Sequence, residues 1–318
     1  MFSKSERSSI IEETKGYVHF QITNETGEMR RKKYDIYEGV YLVYNDVHMR
    51  ECYTDIGTAP RTNNIIEVDH CREGRLECSK GKDFFYLSPG DMVVHRNADV
   101  EHNSFFPTCH YHGITLIIDL DSAPKCFSCI INDVDICPKN IANRFCNGDN
   151  LFITRSNRRL EHIFSELYNV PEEVKQSYFK IKVLEILLFL SYFPIDAMET
   201  RKPYTFVQVQ LAKEVRMYLA ENINRTVRIE ELARKFHVSP SKLQNCFRGV
   251  YGKSVYDHIR FQKMQSAAQM LENTNKTVLE IASLHGYENG GKFAAAFAKI
   301  MGLSPSEYRK VKHTTNFD

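Results

Sequence analysis

The sequence has no hydrophobic run long enough to cross a bilayer, and this absence excludes a membrane-spanning helical protein. The longest apolar segment, residues 183–193, is interrupted by Glu185 and Ser191 and is only about half as long as a spanning helix must be. Residues 1–15 are charged throughout and lack the apolar core of a secretory signal. We therefore expect a cytoplasmic protein with no membrane partner.

A large net charge is also missing, since 42 Lys and Arg nearly balance 40 Asp and Glu. The charges are nevertheless unevenly distributed along the chain. Residues 203–318 hold 17 basic and 10 acidic groups, a net charge of +7, whereas the rest of the chain carries −5. A basic C-terminal third beside an acidic remainder predicts two domains, of which only one meets phosphate groups.

Complete catalytic and metal-binding motifs are missing as well. No Ser/His/Asp set and no pair of carboxylates suited to acid–base catalysis stands out, so we expect neither an enzyme nor a cofactor. Nine cysteines without a secretory signal indicate reduced thiols. Cys126 and Cys129 form a C-x-x-C pair, but no second pair or His pair completes a zinc finger, and we expect no metal there.

The chain does contain a helix-turn-helix pattern twice, at residues 229–247 and 278–297. Each copy has an apolar residue followed by Ala, a tight turn, and then two apolar residues four positions apart. Leu243, Phe247, Gly252 and Ser254 correspond to Phe293, Phe297, Gly302 and Ser304, each 50 positions later. Ala permits close crossing of a second helix, and the apolar pair faces the core. A purely structural helical repeat is the alternative.

The second helix of the first copy carries side chains that can recognise DNA. Ser239 is suited to cap this helix, which Pro240 opens. Gln and Asn can bind adenine with two hydrogen bonds, while Arg and Lys can bind guanine or phosphate. The candidate DNA contacts of this motif are Ser239, Ser241, Lys242, Gln244, Asn245 and Arg248.

The second copy lacks such a set at the equivalent positions, which hold Gly291, Lys292, Ala294, Ala295 and Ala298. Alanines can touch thymine methyl groups but cannot form a hydrogen-bonded base code. We therefore predict that the first motif supplies most of the base discrimination and that the second positions the unit on the phosphates. Its candidate contacts are Asn289, Gly291, Lys292 and Lys299. A connecting helix at 254–271 would be about 27 Å long, which suits successive major grooves about 34 Å apart.

Residues 207–312 resemble the AraC/XylS family of bacterial transcription regulators. The resemblance rests on the two motifs, the connecting helix and the closing run Gly-Leu-Ser-Pro-Ser-Glu-Tyr-Arg at 302–309. Lys263 departs mildly from the pattern, because the family usually has Arg there. The resemblance implies that Ser241, Gln244 and Asn245 occupy base-facing positions.

Residues 39–119 consist of short strand-like segments separated by turn residues, which predict a small antiparallel barrel or sandwich. A short helix and a strand at 17–22 are expected before it. The turn at 88–91, Ser-Pro-Gly-Asp, looks like the one in cupin barrels, and AraC-type regulators commonly carry such a barrel. The expected fold is therefore α+β multidomain: a cupin-like antiparallel β-barrel with following helices over 1–195, a linker at 196–206, and an all-α domain with two helix-turn-helix motifs joined by a linker helix over 207–318.

Histidines are concentrated in the predicted barrel at His70, His95, His102, His110 and His112. His110 and His112 would point to one face of a strand, as a metal site requires. Metal-binding cupins follow this pair with a nearby Glu, which residues 113–118 lack, so we favour a polar ligand pocket or structural histidines over a metal. The candidate effector contacts are His70, Arg72, His95 and His112. For residues 69–75, the alternative is a hairpin turn with exposed charges.

Residues 155–193 predict helices, the last of which is apolar nearly all round. Such a helix must be covered on more than one side, so we expect a homodimer contact here, with intramolecular packing as the alternative. The candidate contact residues are Leu160, Ile163, Leu167, Ile186, Leu187 and Leu190.

Together these patterns predict a sequence-specific transcription regulator that binds double-stranded DNA. By resemblance, it would be a homodimeric activator that contacts RNA polymerase and responds to a small-molecule effector in its N-terminal barrel. The alternative is a ligand-independent regulator whose barrel serves dimerisation or protein contacts.

Overall fold

The computed structural model describes residues 6–53, 64–96, 104–127, 136–146, 151–195, 202–223 and 227–315. The chain divides into two compact units, Met1–Thr205 and Phe206–Asp318. Within the described ranges, no helix combines the length and the apolar character needed to cross a membrane.

The N-terminal unit is built mainly from strands. These are β1 (Arg7–Glu13), β2 (Tyr17–Asn24), β3 (Gly27–Tyr37), β4 (Val40–His48), β5 (Glu51–Cys52), β6 (Ile65–Gly74), β7 (Leu76–Lys80), β8 (Asp83–Leu87), β9 (Asp91–Arg96), β10 (Ser104–Phe105), β11 (Tyr111–Asp119), β12 (Leu151–Arg155) and β13 (Tyr204–Thr205). Its helices are α1 (Pro138–Phe145), α2 (Arg158–Leu167) and α3 (Lys175–Ser191), the last preceded by a 3-10 turn at Glu172–Val174.

The strands form two antiparallel sheets. Sheet A has the order β1-β2-β3-β4-β11-β6-β9-β12, and sheet B has the order β13-β8-β7-β10-β5. In the centre of sheet A, β11 pairs with β4 on one side and with β6 on the other. Among the described residues no strand pairing closes either sheet into a barrel, so the cupin-like barrel stays a prediction.

Sheet A has two different faces, because side chains alternate along a strand. One face packs against α1, α2 and α3 in a single apolar cluster, to which the sheet contributes Leu42, Val68, Val94 and Leu116. The other face packs against sheet B and contributes Val47, Cys71, Val93 and Tyr111. Neighbouring residues of one strand therefore serve different cores.

The first described element corrects one expectation from the sequence. Instead of a short helix, residues 7–13 form β1, which pairs antiparallel with β2 and places Ser9 opposite Gln21. Every side chain of β1 is exposed, so no helical apolar stripe exists there, and the hydrogen bonds to β2 determine the structure. The strand β12 and the helix α1 were not predicted either.

The C-terminal unit is helical. Its helices are α4 (Phe206–Glu221), α5 (Ile229–Lys235), α6 (Pro240–Tyr251), α7 (Val255–Asn273), α8 (Val278–Leu284), α9 (Gly290–Met301) and α10 (Pro305–Thr315). The predicted pair of helix-turn-helix motifs is confirmed, with α5–α6 as the first and α8–α9 as the second. With 19 residues, the connecting helix α7 is about 28 Å long.

The two recognition helices begin and end in the same way. Ser239 caps α6 by accepting a hydrogen bond from Lys242 N at 3.2 Å, and Asn289 caps α9 by accepting one from Lys292 N at 3.0 Å. Each helix ends at a glycine in the left-handed region, with φ of 73° at position 252 and 80° at position 302. These local signals fix both helix lengths.

Lys263 connects α7 to the second motif. Its buried ammonium donates a 3.0 Å hydrogen bond to the carbonyl oxygen of His285, which follows the last residue of α8. Helix-end carbonyls need such partners. Burial lowers the pKa of Lys263, in keeping with an amine held in a confined position.

The turns of the two motifs use the same left-handed backbone with different residues. His237 has φ of 54° in the first turn, and Gly286 has φ of 77° in the second. Each lies five positions after the apolar residue that anchors its first helix, Leu232 or Ile281.

We predict that Gly286→Ala destabilises the C-terminal unit, because a side chain in the left-handed region costs about 1–2 kcal/mol. His237→Gly at the equivalent position should be neutral or slightly stabilising, since relief of strain offsets the extra freedom of glycine in the unfolded chain. Hydrogen exchange of the α8 and α9 amides in denaturant would measure the first effect, and that of α5 and α6 the second. Equal destabilisation by both variants would contradict the prediction.

A second prediction concerns His258, whose ring contacts Phe247 and Tyr251 at centroid distances of 5.2 and 5.4 Å. Burial, together with the charges of Arg216 and Lys253, lowers the pKa of His258 to about 4. The unfolded chain, with a pKa of about 6.5, therefore takes up a proton before the folded chain does. The free energy of unfolding should fall as pH drops from about 6.5 towards 4, by at most about 1.4 kcal/mol per pH unit.

Unfolding of the C-terminal unit at pH 7, 6 and 5 would test this, with His258→Leu as the comparison. The variant should show a shallower pH dependence than the parent. Identical slopes would show that His258 does not cause the effect.

Candidate functional site

Helix α6 buries one side in the core of its unit and leaves the opposite side in solvent. Leu243, Cys246 and Phe247 are buried. The exposed predicted contacts are Ser239, Ser241, Lys242, Asn245 and Arg248. Two hydroxyls, an amide and two cationic groups are thus exposed together, and such a set can contact base edges and phosphates.

Gln244 differs from the other predicted base contacts. Its side chain is half-buried, and its Oε1 accepts a 3.4 Å hydrogen bond from the backbone N–H of Val255, the first residue of α7. A base contact through this oxygen would require the bond to open. Asn245 is therefore the more accessible amide on this face.

Helix α9 repeats the burial pattern of α6 with different chemistry. Gly291, Lys292, Ala295 and Lys299 are exposed, as is the capping residue Asn289, whereas Ala294 and Ala298 are half-buried. Position 294 is thus half-buried like position 244, and position 295 is exposed like position 245. The free face of α9 offers small side chains flanked by two ammonium groups.

In the N-terminal unit, the four predicted effector contacts do not converge on one site. The Nε2–H of His70 donates to Glu161 Oε2 at 2.8 Å, and its ring stacks on Phe164 of α2 with centroids 4.3 Å apart. This hydrogen bond lowers the pKa of Glu161. His70 therefore joins sheet A to α2, and it is a structural histidine.

Of the other three predicted contacts, Arg72 and His112 both lie beside Glu73, whereas His95 lies apart from them. Arg72 is half-exposed, with its guanidinium 4.3 Å from the ring centre of Tyr168. His112 lies beside Asp46 on the helix-covered face of sheet A. His95 lies on the opposite face, towards sheet B. Strand alternation thus separates His95 from His70, Arg72 and His112, which lie on the helix-covered face, so the four residues cannot line one pocket. His102 and Cys129 lie outside the described residues.

A buried polar group that the sequence did not reveal surrounds His95. We call it the inner polar patch and define it as Asn45, Glu67, Asp69, His95 and Thr115. Asn45 Nδ2 donates to Thr115 Oγ1 at 2.9 Å, and Thr115 Oγ1 donates to Asp69 Oδ1 at 2.5 Å. His95 Nε2 lies 3.1 Å from Asp69 Oδ2 and 3.7 Å from Glu67 Oε2.

The acidic groups of the inner polar patch control the charge of His95. Burial on its own would lower the pKa of His95, but the hydrogen bond to Asp69 and the charge of Glu67 outweigh it and raise the pKa to about 9. His95 is therefore cationic at neutral pH. The alternation of side chains predicts which face of its strand each member occupies. The order of the strands brings the members together, and local sequence patterns do not predict that order.

The six predicted dimer contacts are all buried within the N-terminal unit itself. Leu160, Ile163, Leu167, Ile186, Leu187 and Leu190 are each at most 2% exposed and belong to the cluster between α1–α3 and sheet A. Packing within the chain, which was the alternative hypothesis, therefore explains why these six side chains are apolar. A subunit contact through α3 would have to use other side chains, such as Ile181, which is 63% exposed.

Comparison with known proteins bears on the C-terminal unit. Residues 232–311 match the protein-family model of a helix-turn-helix domain. YdiP, an uncharacterized HTH-type transcriptional regulator of Escherichia coli, is 34% identical over 100 residues, which are 31% of this chain and 33% of YdiP. AarP, an HTH-type transcriptional activator of Providencia stuartii, is 27% identical over 108 residues, which are 34% of this chain and 80% of AarP.

Among solved structures, a probable AraC family transcriptional regulator of Rhodopseudomonas palustris is 26% identical, with a TM-score of 0.31 over 32% of this chain and 97% of that one. The chain spans about a third of the length of the first curated relatives that it matches. The names of YdiP and AarP describe both as HTH-type regulators of transcription. Residues 232–311 of the C-terminal unit thus form a helix-turn-helix domain.

Proposed function

We propose that this protein is a sequence-specific transcription regulator in which the first recognition helix reads bases and the second positions the unit on phosphates. The observation that carries the proposal is the free face of α6, where Ser241, Lys242, Asn245 and Arg248 are exposed opposite the buried core. The equivalent face of α9 holds alanines between Lys292 and Lys299. The same fold therefore presents two different chemistries to DNA.

The connecting helix supports binding by both motifs at once. A helix of about 28 Å suits recognition helices in successive major grooves, about 34 Å apart on one face of the duplex. The α7 interior holds this spacing because Met264, Ala267 and Leu271 pack into the core of the second motif. The excess of basic over acidic side chains in this third of the chain favours DNA electrostatically.

The N-terminal unit supplies regulation in this proposal. Burying charged groups costs free energy unless they are paired or used, and the inner polar patch buries both acidic and cationic side chains. A small polar effector bound against this patch would change how the DNA-binding units of a homodimer are presented. We further propose that the protein is cytoplasmic and activates transcription by contacting RNA polymerase. The name of the relative AarP, a transcriptional activator, supports activation.

A ligand-independent regulator is the second candidate, favoured by the apolar cluster that fills the space between the sheets. Met29, Phe106 and Tyr111 are almost fully buried there. A thermal scan against a panel of small polar compounds distinguishes the two. A compound that raises the melting temperature, changes DNA affinity and loses both effects in Thr115→Val supports an effector. If no compound does so, the ligand-independent form is favoured.

For the DNA site, we predict that Asn245→Ala weakens binding to the preferred sequence by about 1–3 kcal/mol and relaxes the preference at one base pair. Fluorescence anisotropy with a selected site and its single-base variants would measure both effects. Asn275→Ala, which removes an exposed amide between α7 and α8, is the matched control and should change neither. Equal weakening on all sequences would contradict base reading by Asn245.

Lys292→Gln should behave differently, because its charge meets phosphate and not a base edge. We expect weaker binding to all sequences alike, and a slope of log affinity against log salt concentration that is shallower by about 1. Salt titrations on specific and random DNA provide the measurement. Lys82→Gln removes an exposed lysine from the β7–β8 turn of the N-terminal unit and should leave the slope unchanged. A loss confined to one sequence would assign Lys292 to base recognition.

A further inference from the structure

Three adjacent strands of sheet A bring five metal-binding side chains together at one end of the sheet. Asp46 and His48 lie at the end of β4, Glu73 lies near the end of β6, His110 precedes β11, and His112 is the second residue of β11. In the strand ladder, His112 is paired with Asp46 on one side and with Glu73 on the other. We call these five residues the strand-end cluster.

A β-bulge brings Glu73 into this cluster. The ladder pairs Cys71 with Gly113 and Glu73 with His112, which leaves Arg72 as an extra residue in β6. Regular alternation would turn Glu73 to the same face as Cys71, towards sheet B. The extra residue reverses the alternation, so the carboxylate of Glu73 lies on the face that carries His112.

The backbone before β11 holds His110 close to the strand ends. Gly74 has φ of 81°, and a Cβ at this position would lie 1.9 Å from the carbonyl oxygen of His110. That oxygen accepts hydrogen bonds from Arg75 N at 3.1 Å and from Thr108 Oγ1 at 2.9 Å. Cys109 has φ of 54°, a region that non-glycine residues occupy at a cost.

The donor atoms lie close enough for one ion. A ring nitrogen of each of His48, His110 and His112 lies within 4.8 Å of the other two. A tetrahedral zinc ion with Zn–N distances of about 2.0–2.1 Å holds its nitrogens about 3.3 Å apart, so small side-chain rotations suffice. Asp46 Oδ1 is 2.9 Å from His48 Nε2, and Glu73 Oε2 is 3.4 Å from His110 Nε2.

Two atoms of the strand-end cluster are buried without a hydrogen bond. Asp46 Oδ1 and His112 Nε2 lie 2.7 Å apart, yet neither makes a hydrogen bond of acceptable geometry. Buried polar atoms that make no hydrogen bond cost free energy, and a cation bound beside both atoms would offset that cost.

We propose that the three histidines of the strand-end cluster, with Asp46 or Glu73 as fourth ligand, bind one divalent transition-metal ion, for which Zn²⁺ is the best match. Imidazole nitrogens combined with a carboxylate select zinc, nickel or copper over magnesium and calcium. The two carboxylates of the cluster would add an electrostatic attraction for a divalent cation. The bound ion would tie the ends of β4, β6 and β11 together.

The proposed metal lies next to the contact between sheet A and α2. Arg72, the bulge residue, is 3.7 Å from Glu73 through its Nε and places its guanidinium over the ring of Tyr168, which follows α2. Tyr44 of β4 donates a hydrogen bond to the carbonyl oxygen of Leu167, the last residue of α2, at 2.6 Å. Metal binding would therefore affect the packing of α2 through the contacts of Arg72 and Tyr44.

A second group with metal-ligand chemistry occurs among the described residues, in the inner polar patch. Donor atoms of Glu67, Asp69 and His95 also lie within 4.8 Å of one another. Asp69 already accepts from Thr115 and contacts His95, so its oxygens are satisfied without an ion. The experiment below therefore tests the inner polar patch as the competing location of the metal.

The test uses the full-length protein without a histidine tag, stripped of metal by a chelator and titrated with Zn²⁺ in equilibrium dialysis. We expect one Zn²⁺ per chain, and a melting temperature of the N-terminal unit that rises with Zn²⁺ concentration. His112→Ala and His48→Ala should each weaken Zn²⁺ binding more than about tenfold. Loss of a residue that only hydrogen-bonds to a metal ligand already weakens metal affinity by about that factor. When Co²⁺ replaces Zn²⁺, the visible absorption spectrum should be that of Co²⁺ bound by nitrogen and oxygen ligands.

His162→Ala is the matched control, because it removes an imidazole whose side chain is 72% exposed on α2, and it should leave Zn²⁺ affinity unchanged. Circular dichroism of each variant guards against misfolding, and the conservative His110→Gln replaces any variant that fails to fold. Unchanged affinity in the ligand variants would overturn the proposal. So would a thiolate-to-cobalt absorption band, or a loss of binding in His95→Gln alone, which would assign the metal to cysteines or to the inner polar patch.

Discussion

Burial of two side chains four positions apart on each recognition helix determines which face is free for DNA. Leu243 and Phe247 in α6, and Phe293 and Phe297 in α9, are fully buried. Full burial of one such side chain stabilises the folded state by about 1.5–3 kcal/mol, so rotation of either helix about its axis is strongly opposed. The capping residues and the terminal glycines then fix where each helix starts and stops. The exposed residues of each recognition helix can vary without affecting the fold. The two copies of the motif can therefore present different side chains to DNA.

Sheet A applies a similar constraint in the N-terminal unit. Its two faces belong to different cores, and each face ends in a distinct polar region. The inner polar patch lies towards sheet B, where it is buried and internally hydrogen-bonded. The strand-end cluster lies on the helix-covered face and depends on the bulge at Arg72. The two regions are thus separated by the thickness of one sheet, which makes them independent candidates for small-molecule and metal binding.

The sequence predicted the C-terminal unit well, because the signals there are local. Helix periodicity, the caps Ser239 and Asn289, and the glycines at 252 and 302 act over a few residues, so element boundaries could be read directly. The hydrogen bond between Gln244 and Val255 spans two helices, and no local pattern announces it. Exposure on a helical wheel therefore overstated how free that amide is.

The N-terminal unit was harder to predict, because its chemistry depends on which strands are neighbours. His110 and His112 were recognised as a same-face pair, but their carboxylate partners come from β4 and β6, which are distant in sequence. A search for a Glu shortly after His112 could not find Glu73. The apolar helix α3 shows a related limit: composition shows that Leu187 must be covered but does not say whether the same chain or a partner covers it.

Footprinting of the full-length protein on a selected DNA site, by hydroxyl radicals and by modification of major-groove bases, tests the division of labour between the two motifs most directly. Binding by both recognition helices predicts two protected backbone regions about one helical turn, or 34 Å, apart on one face of the duplex. Base modification should interfere strongly in one of these regions and weakly in the other. A single protected region, or equal interference in both, would contradict the assignment of base reading to α6 and of positioning to α9.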